Sequence, residues 1–346
     1  MRKTVVLTVI AGAALLLACG SDEGPVGVEG VRYWDIAWSS PDTILTDIEM
    51  LGEKLGYACG YRYNATTGTN DALIYAYDGE KWDVSLFMPG ESGATLTALD
   101  FVAENNGWAL GYRESEVFPG PVVLHYDGEA WTELPTDSLN GGRMTMLAAA
   151  DAENIWVSDG YEAYHYGDGF WSLFPLSQGG TVDHWTFSGP EAGWAVDYGS
   201  GYCYKWDGAI GFWTLESHPL YNATSFFFRS DGSGVYADFV DIPPVTRRTN
   251  IYVREGGESP SYKRVFASGQ GRYLTACDFF PPDYYFFAGP NAAFEVVKDD
   301  VAPLGYVPSG ELGTVRAISI AAQGDVWGIM GTSLDQGPSF IVHKKG

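Results

Sequence analysis

The sequence has 346 residues, 44 of them Asp or Glu against 20 Lys or Arg, for a formal net charge of −24. Such acidity excludes non-specific binding to nucleic acid or to an anionic lipid surface, both of which call for positive charge. Charged residues are only 18% and aromatic residues 15%, with 44 glycines. This is no disordered polyelectrolyte, and the balance suits many short strands and turns.

The chain opens with Arg2 and Lys3, then runs apolar from Val5 to Ala18 and reaches Cys19. A short basic region before a short apolar one is a secretory signal, and it falls short of the about 20 apolar residues that a spanning helix needs. Leu16-Leu17-Ala18-Cys19 resembles a bacterial lipobox, and the soluble stretch Gly20-Ser21-Asp22-Glu23-Gly24-Pro25 follows at once. The expected organisation is a signal peptide at 1–18, a lipidated Cys19 with its tether at 19–30, and a folded region at 31–346. Several acyl chains make a stable anchor where one does not. Gly20 is not the aspartate that resembles an inner-membrane retention signal, so the expected address is the outer membrane of a bacterial envelope. The compartment permits disulfides. Cys59, Cys203 and Cys277 nevertheless fall in different repeats and are expected as buried free thiols.

Two motifs then alternate along the chain. One is a turn, a Gly-aromatic step and small apolar residues: "GYACG" at 56, "GWALG" at 107, "IWVSDG" at 155, "GWAVD" at 193, "GVYAD" at 234, "YYFFAG" at 284 and "VWGIMG" at 326. The other is a hairpin: "YAYDGEKW" at 75, "LHYDGEAW" at 124, "YHYGDGFW" at 164 and "YKWDGAIGFW" at 204. Asp-Gly tolerates the positive φ of tight hairpin turns, and the flanking rings can pack across it. The unit of roughly 45 residues recurs through the chain and holds four strand-like runs, the signature of propeller blades. In the second unit the runs are 94–102, 107–113, 121–126 and 130–135. The last unit, 313–346, lacks its fourth strand, and "YWDIAW" at 33–38 matches that strand in other units. The expected fold is all-β, a seven-bladed propeller of four-stranded antiparallel blades whose N-terminal strand closes the last blade and removes a free edge.

These repeats resemble bacterial secreted propellers with W-A-V-G … Y-D-G-x-x-W units. They are similar to the Asp-box repeats of sialidase-type propellers and to the photosystem II assembly-factor type. A strict Asp-box reads Ser-x-Asp-x-Gly-x-x-Trp, and "HYDGEAW" at 125–131 lacks its serine and full spacing. The resemblance covers nearly all of 31–346. It implies that Asp78, Asp127, Asp168 and Asp207 build turns and do no chemistry.

No nucleophile elbow, phosphate-binding loop, HExxH or Cys/His metal cluster is present, and no cofactor or metal is expected. His125 and His165 hold the same repeat position and read as strand fillers. The channel candidates are Asp100 and Asp278 on inner strands, with His184 beside Asp183. Long connections between the second and third strands are expected at 62–71, 113–121, 238–250 and 332–339, and variable loops on a rigid scaffold are where binding sits. They nominate Tyr63, Phe118, Arg247 and Arg248 as binding residues. Three functions remain in play. The first is a monomeric, lipid-anchored, non-catalytic binder or scaffold that takes a protein or glycan and no nucleic acid. The second is a carbohydrate-active enzyme of sialidase or lyase type working at the channel mouth. The third is a structural surface module.

Overall fold

The computed structural model describes residues 34–346 except 91–92, 114–119, 141, 176–181, 198–199, 209–210, 217–219, 221, 243–245, 258–259, 268–273, 290–291, 299, 304–313, 333–337 and 345–346. The expected signal peptide and Cys19 lie outside these residues.

The described strands form seven sheets of four antiparallel strands each. Blade 1 comprises Thr43–Gly52, Leu55–Asn64, Thr69–Tyr77 and Trp82–Met88, named A to D from the centre outward. Blade 2 comprises Thr95–Ala103, Asn106–Arg113, Gly120–Tyr126 and Trp131–Glu133, close to the bounds the sequence implied. Blades 3 to 6 follow at 146–173, 184–215, 223–267 and 276–303. Blade 7 takes Thr314–Ala322, Asp325–Gly331 and Ser339–Lys344 as A to C, and Asp35–Ser40 supplies strand D. Asp35 pairs with His343 and Ser40 with Ser339. The closing strand thus starts later than the 33–38 match suggested, because Trp34 turns into the core, edge-on to Phe286 at 5.9 Å.

The core is divided among the seven seams between blades, one apolar cluster to each. Strand B is flanked by A and C and covered on both faces, so it is apolar without alternation, as in Tyr57-Ala58-Cys59 and Ile155-Trp156-Val157. The strand-B aromatic meets a flat or cationic partner on strand C. Trp108 faces His125 at 4.3 Å, Trp156 faces His165 at 4.6 Å, Trp327 faces His343 at 3.8 Å and Tyr236 faces Tyr252 at 4.6 Å. In blade 4 the ammonium of Lys205 sits 5.7 Å from the Trp194 ring. The three histidines each bond a side chain of the adjacent turn: Asn106, Asn154 and Asp325.

The Asp-Gly turns are structural. The carboxylate of Asp78 accepts from the Glu80 and Lys81 N–H groups, and that of Asp127 from Glu129 and Ala130, all at 2.9 Å. Gly79 and Gly128 follow at φ 94° and 95°, where a Cβ would be strained. Cys59, Cys203 and Cys277 are free thiols, and burial holds each well above its usual pKa.

Candidate functional site

Strand A carries a bulge near its start in blades 1, 2, 5 and 7, at Thr46, Thr97, Thr224 and Arg316. The residues at the corresponding place in blades 3, 4 and 6 are Thr145, Asp183 and Thr275, each bonding through its backbone N–H to strand B of its own blade. The same place on strand A is therefore held by five threonines, one aspartate and one arginine. Two of the threonines join neighbouring blades. The Thr46 hydroxyl lies within donating distance of Cys59 O at 3.1 Å and of Leu96 O in the next blade at 3.0 Å. The Thr97 hydroxyl has Leu110 O and Met144 O at 3.3 Å. Arg316 serves the closing seam: its Nη1 donates to Leu45 O at 2.8 Å and to Ser339 Oγ at 3.1 Å.

Inside this ring lies a cavity of about 430 Å³, bounded by Thr46, Thr97, Thr145, Asp183, Thr275 and Arg316, with His184, Asp47 and Cys277 also on its wall. It opens on the edge where the D–A and B–C connections lie. Desolvation pushes the His184 imidazole down to about 4, so at neutral pH it is an uncharged hydrogen-bonding group.

The two acids nominated from sequence share a different task. Asp100 accepts from the N–H of Phe101 at 2.9 Å and, across the seam, from Ala149 at 2.8 Å. Asp278 accepts from Phe279 at 2.7 Å and from Ile320 of blade 7 at 2.8 Å. Asp47 completes the set with Ile48 and Leu99, both at 2.9 Å. Burial raises Asp47 to about 7 and Asp100 and Asp278 to about 6, partly offset by these N–H donors. Glu49 stands among them with every neighbouring charge adding to the effect of burial, and its carboxyl is held well above the usual range. The carboxylates of Asp47, Asp100 and Asp278 are thus tied to the backbone of their own and neighbouring blades. Among the described residues no three Asp, Glu, His or Cys side chains could hold a metal.

The B–C edge of blades 1 to 4 carries exposed rings. Tyr63, Tyr161 and Tyr202 are 63%, 75% and 40% exposed, in blades 1, 3 and 4. A cleft of about 330 Å³ separates the blade 1 hairpin from blade 2, lined by Tyr63, Asn70, Thr95, Tyr112 and Arg113. The Arg113 fork is fixed by Glu133 at 2.6 and 2.8 Å, and Arg143 lies 5.0 Å over the Tyr112 ring.

Two of the expected long loops are mostly sheet. In blade 1 the strands stay paired to Asn64↔Thr69, and in blade 5 to Ile242↔Thr246. Arg247 and Arg248 therefore lie in strand C, opposite Asp241 and Val240, with Arg248 exposed. Polar alternation in an extended hairpin looks like loop composition, which is why the sequence misled. Phe118 lies outside the described residues. The ring of threonines went unnoticed in sequence. Its signal is a residue at a near-constant interval before the strand-B aromatic: Thr46 before Tyr57, Thr97 before Trp108, Thr145 before Trp156.

No protein-family model and no curated protein sequence matches the chain. Solved structures do. YCF48 bound to a D1 peptide is 14% identical with TM-score 0.61, matching 90% of this chain and 97% of that one. YCF48 from Cyanidioschyzon merolae is 12% identical with TM-score 0.64, over 90% and 98%. The WD40 propeller domain of Doa1 is 11% identical with TM-score 0.57, over 90% and 97%. At such identities the likeness is one of fold: a seven-bladed β-propeller with YCF48 and WD40 domains among its neighbours.

Proposed function

We propose that this protein is a non-catalytic binding scaffold, lipid-anchored through Cys19 to a bacterial outer membrane, that takes a protein segment on its B–C edge. The carrying observation is the arc of exposed Tyr63, Tyr161 and Tyr202 on that edge. Exposed tyrosines on rigid strands and tight turns offer contact area at low entropic cost. The channel acids support the same reading, since their carboxylates serve the backbone. So does the neighbour YCF48, whose structure holds a D1 peptide. The closing strand begins at Asp35, beside His343, on the edge away from the tyrosines.

The test is capture from an envelope extract by residues 20–346, beside a variant with Tyr63, Tyr161 and Tyr202 changed to serine. A defined partner, identified by mass spectrometry and lost in the variant, is expected. A partner retained by the variant rejects this face, and turnover of envelope glycan rejects the non-catalytic reading. For the anchor, Cys19→Ser should move the protein from the membrane fraction to the soluble one.

A further inference from the structure

The tyrosine arc crosses two kinds of electrostatic ground. At its blade 1 and 2 end stand Arg62 and Arg113, each paired with a carboxylate: Asp71 at 3.1 Å and Glu133 at 2.6 Å. Beyond Arg143 the balance of charge changes. Between Arg143 and Arg229 the sequence holds a single Lys or Arg, Lys205, against ten Asp or Glu. That lysine serves its own blade, with its ammonium 5.7 Å from the Trp194 ring. The stretch spans blades 3 and 4, which carry Tyr161 and Tyr202.

Tyr161 is the most exposed ring of the arc, and its backbone is firmly held. The Asp159 carboxylate accepts from the N–H groups of Tyr161 and Glu162, both at 2.9 Å. Gly160 O accepts from the N–H of Val182, on the way into blade 4, at 2.6 Å. Glu162 follows the ring directly. Its Oε2 accepts from the Tyr164 hydroxyl and from Asn140 Nδ2, which fixes the carboxylate. Its Oε1 has no hydrogen bond among the described residues, so it is left to accept from outside. A ring face attracts a cation through its quadrupole, and a carboxylate beside it adds a charged acceptor. An acidic segment here would meet like charge at Asp159 and Glu162, and an apolar one would leave both carboxylates unused.

We infer that the protein segment taken on this edge is basic, and that one of its Lys or Arg side chains lies over Tyr161 with its charge on Glu162. The inference rests on the reading of the tyrosine arc as a binding face and names the chemistry of its partner.

Fluorescence anisotropy on the full-length protein in detergent tests it. The probe is a labelled, end-blocked peptide of alternating lysine and glycine, beside the same peptide with glutamate or norleucine in place of lysine. The lysine peptide is expected to bind about tenfold more tightly than either, and to weaken as salt rises. Glu162→Gln keeps an acceptor for Tyr164 and should weaken the lysine peptide about threefold or more. Tyr161→Leu keeps apolar area without the ring face and should weaken it as well. Asp168→Asn removes one charge from the C–D turn of the same blade, on the opposite edge, and should change nothing. Equal binding of the norleucine or glutamate peptide, no binding at millimolar concentration, an unchanged Glu162→Gln, or an equal loss in Asp168→Asn overturns the inference. If partner capture is lost with the tyrosines while the lysine peptide fails, the face stands and its basic occupant is rejected. If capture survives the loss of the tyrosines, the face itself is rejected.

Discussion

Seams 2/3 and 3/4 hold neighbouring blades together by different means. At seam 2/3 the Asp100 carboxylate bridges Phe101 N–H and Ala149 N–H, and the Thr97 hydroxyl adds Met144 O. Seam 3/4 is filled with rings. Trp156 instead packs against Phe187, Trp206 and Trp213 at 5.4, 4.7 and 5.7 Å. One seam relies on hydrogen bonds to a buried charge, the other on aromatic area. Hydrogen bonds to a charged group contribute about 1.5–3 kcal/mol net, whereas a buried indole contributes through its whole surface. The propeller thus tolerates either device at one geometry, and the choice decides whether a seam senses pH.

The largest expected effect is at the aromatic seam. Trp156→Ala removes an indole that is 1% exposed and should cost about 3–5 kcal/mol, read from urea unfolding. Asp100→Ala should cost less, about 1–3 kcal/mol, by leaving two backbone N–H groups without their acceptor. Asp100→Asn keeps one oxygen and should fall between Ala and wild type. If Asp100→Ala cost more than Trp156→Ala, the ranking of polar and aromatic seams would be reversed.

The same contrast predicts a pH dependence. Asp47 near 7 and Asp100 and Asp278 near 6 lie above their unfolded values, so between about pH 4 and 7 the native chain holds protons that the unfolded chain has released. Stability then falls as pH rises through that window and levels off above it. Thermal melts should show Tm highest on the acid side of neutrality. Glu49→Gln removes the group that every neighbouring acid raises, and should flatten the slope across the window. Trp156→Phe, at the aromatic seam, should lower Tm evenly at every pH. A slope unchanged by Glu49→Gln would mean that the axial acids do not control it.

The blade number, the closing strand and the turn role of Asp78 and Asp127 were legible because they follow local rules. A Gly-aromatic step marks strand B, and Asp-Gly marks a tight turn. Asp100 was legible as an inner-strand acid, but its task was not. Its acceptor role depends on Ala149 N–H, which the next blade brings to 2.8 Å. His343 shares the position of His125 and His165, yet its repeat is cut short in sequence and conceals the match. Tyr63 could be named from its connection, while Tyr161 and Tyr202 sit in short turns that gave no length signal. For Asp100 and the two turn tyrosines, what sequence missed is a contact made between blades or between a short turn and solvent.

The smallest expected effect lies outside the seams altogether. Asp127 caps an exposed C–D turn, and its two N–H bonds are to residues two and three positions on, so no neighbouring blade depends on them. Its carboxyl is lowered chiefly by those N–H groups, the opposite direction from Asp100. Asp127→Ala should therefore cost the least of these substitutions, since water can replace the acceptor at an exposed turn. It should leave the pH slope unchanged and partner capture intact. The same substitution at Asp100 should alter both stability and slope. Side by side, the pair separates an aspartate that shapes one hairpin from an aspartate that joins two blades.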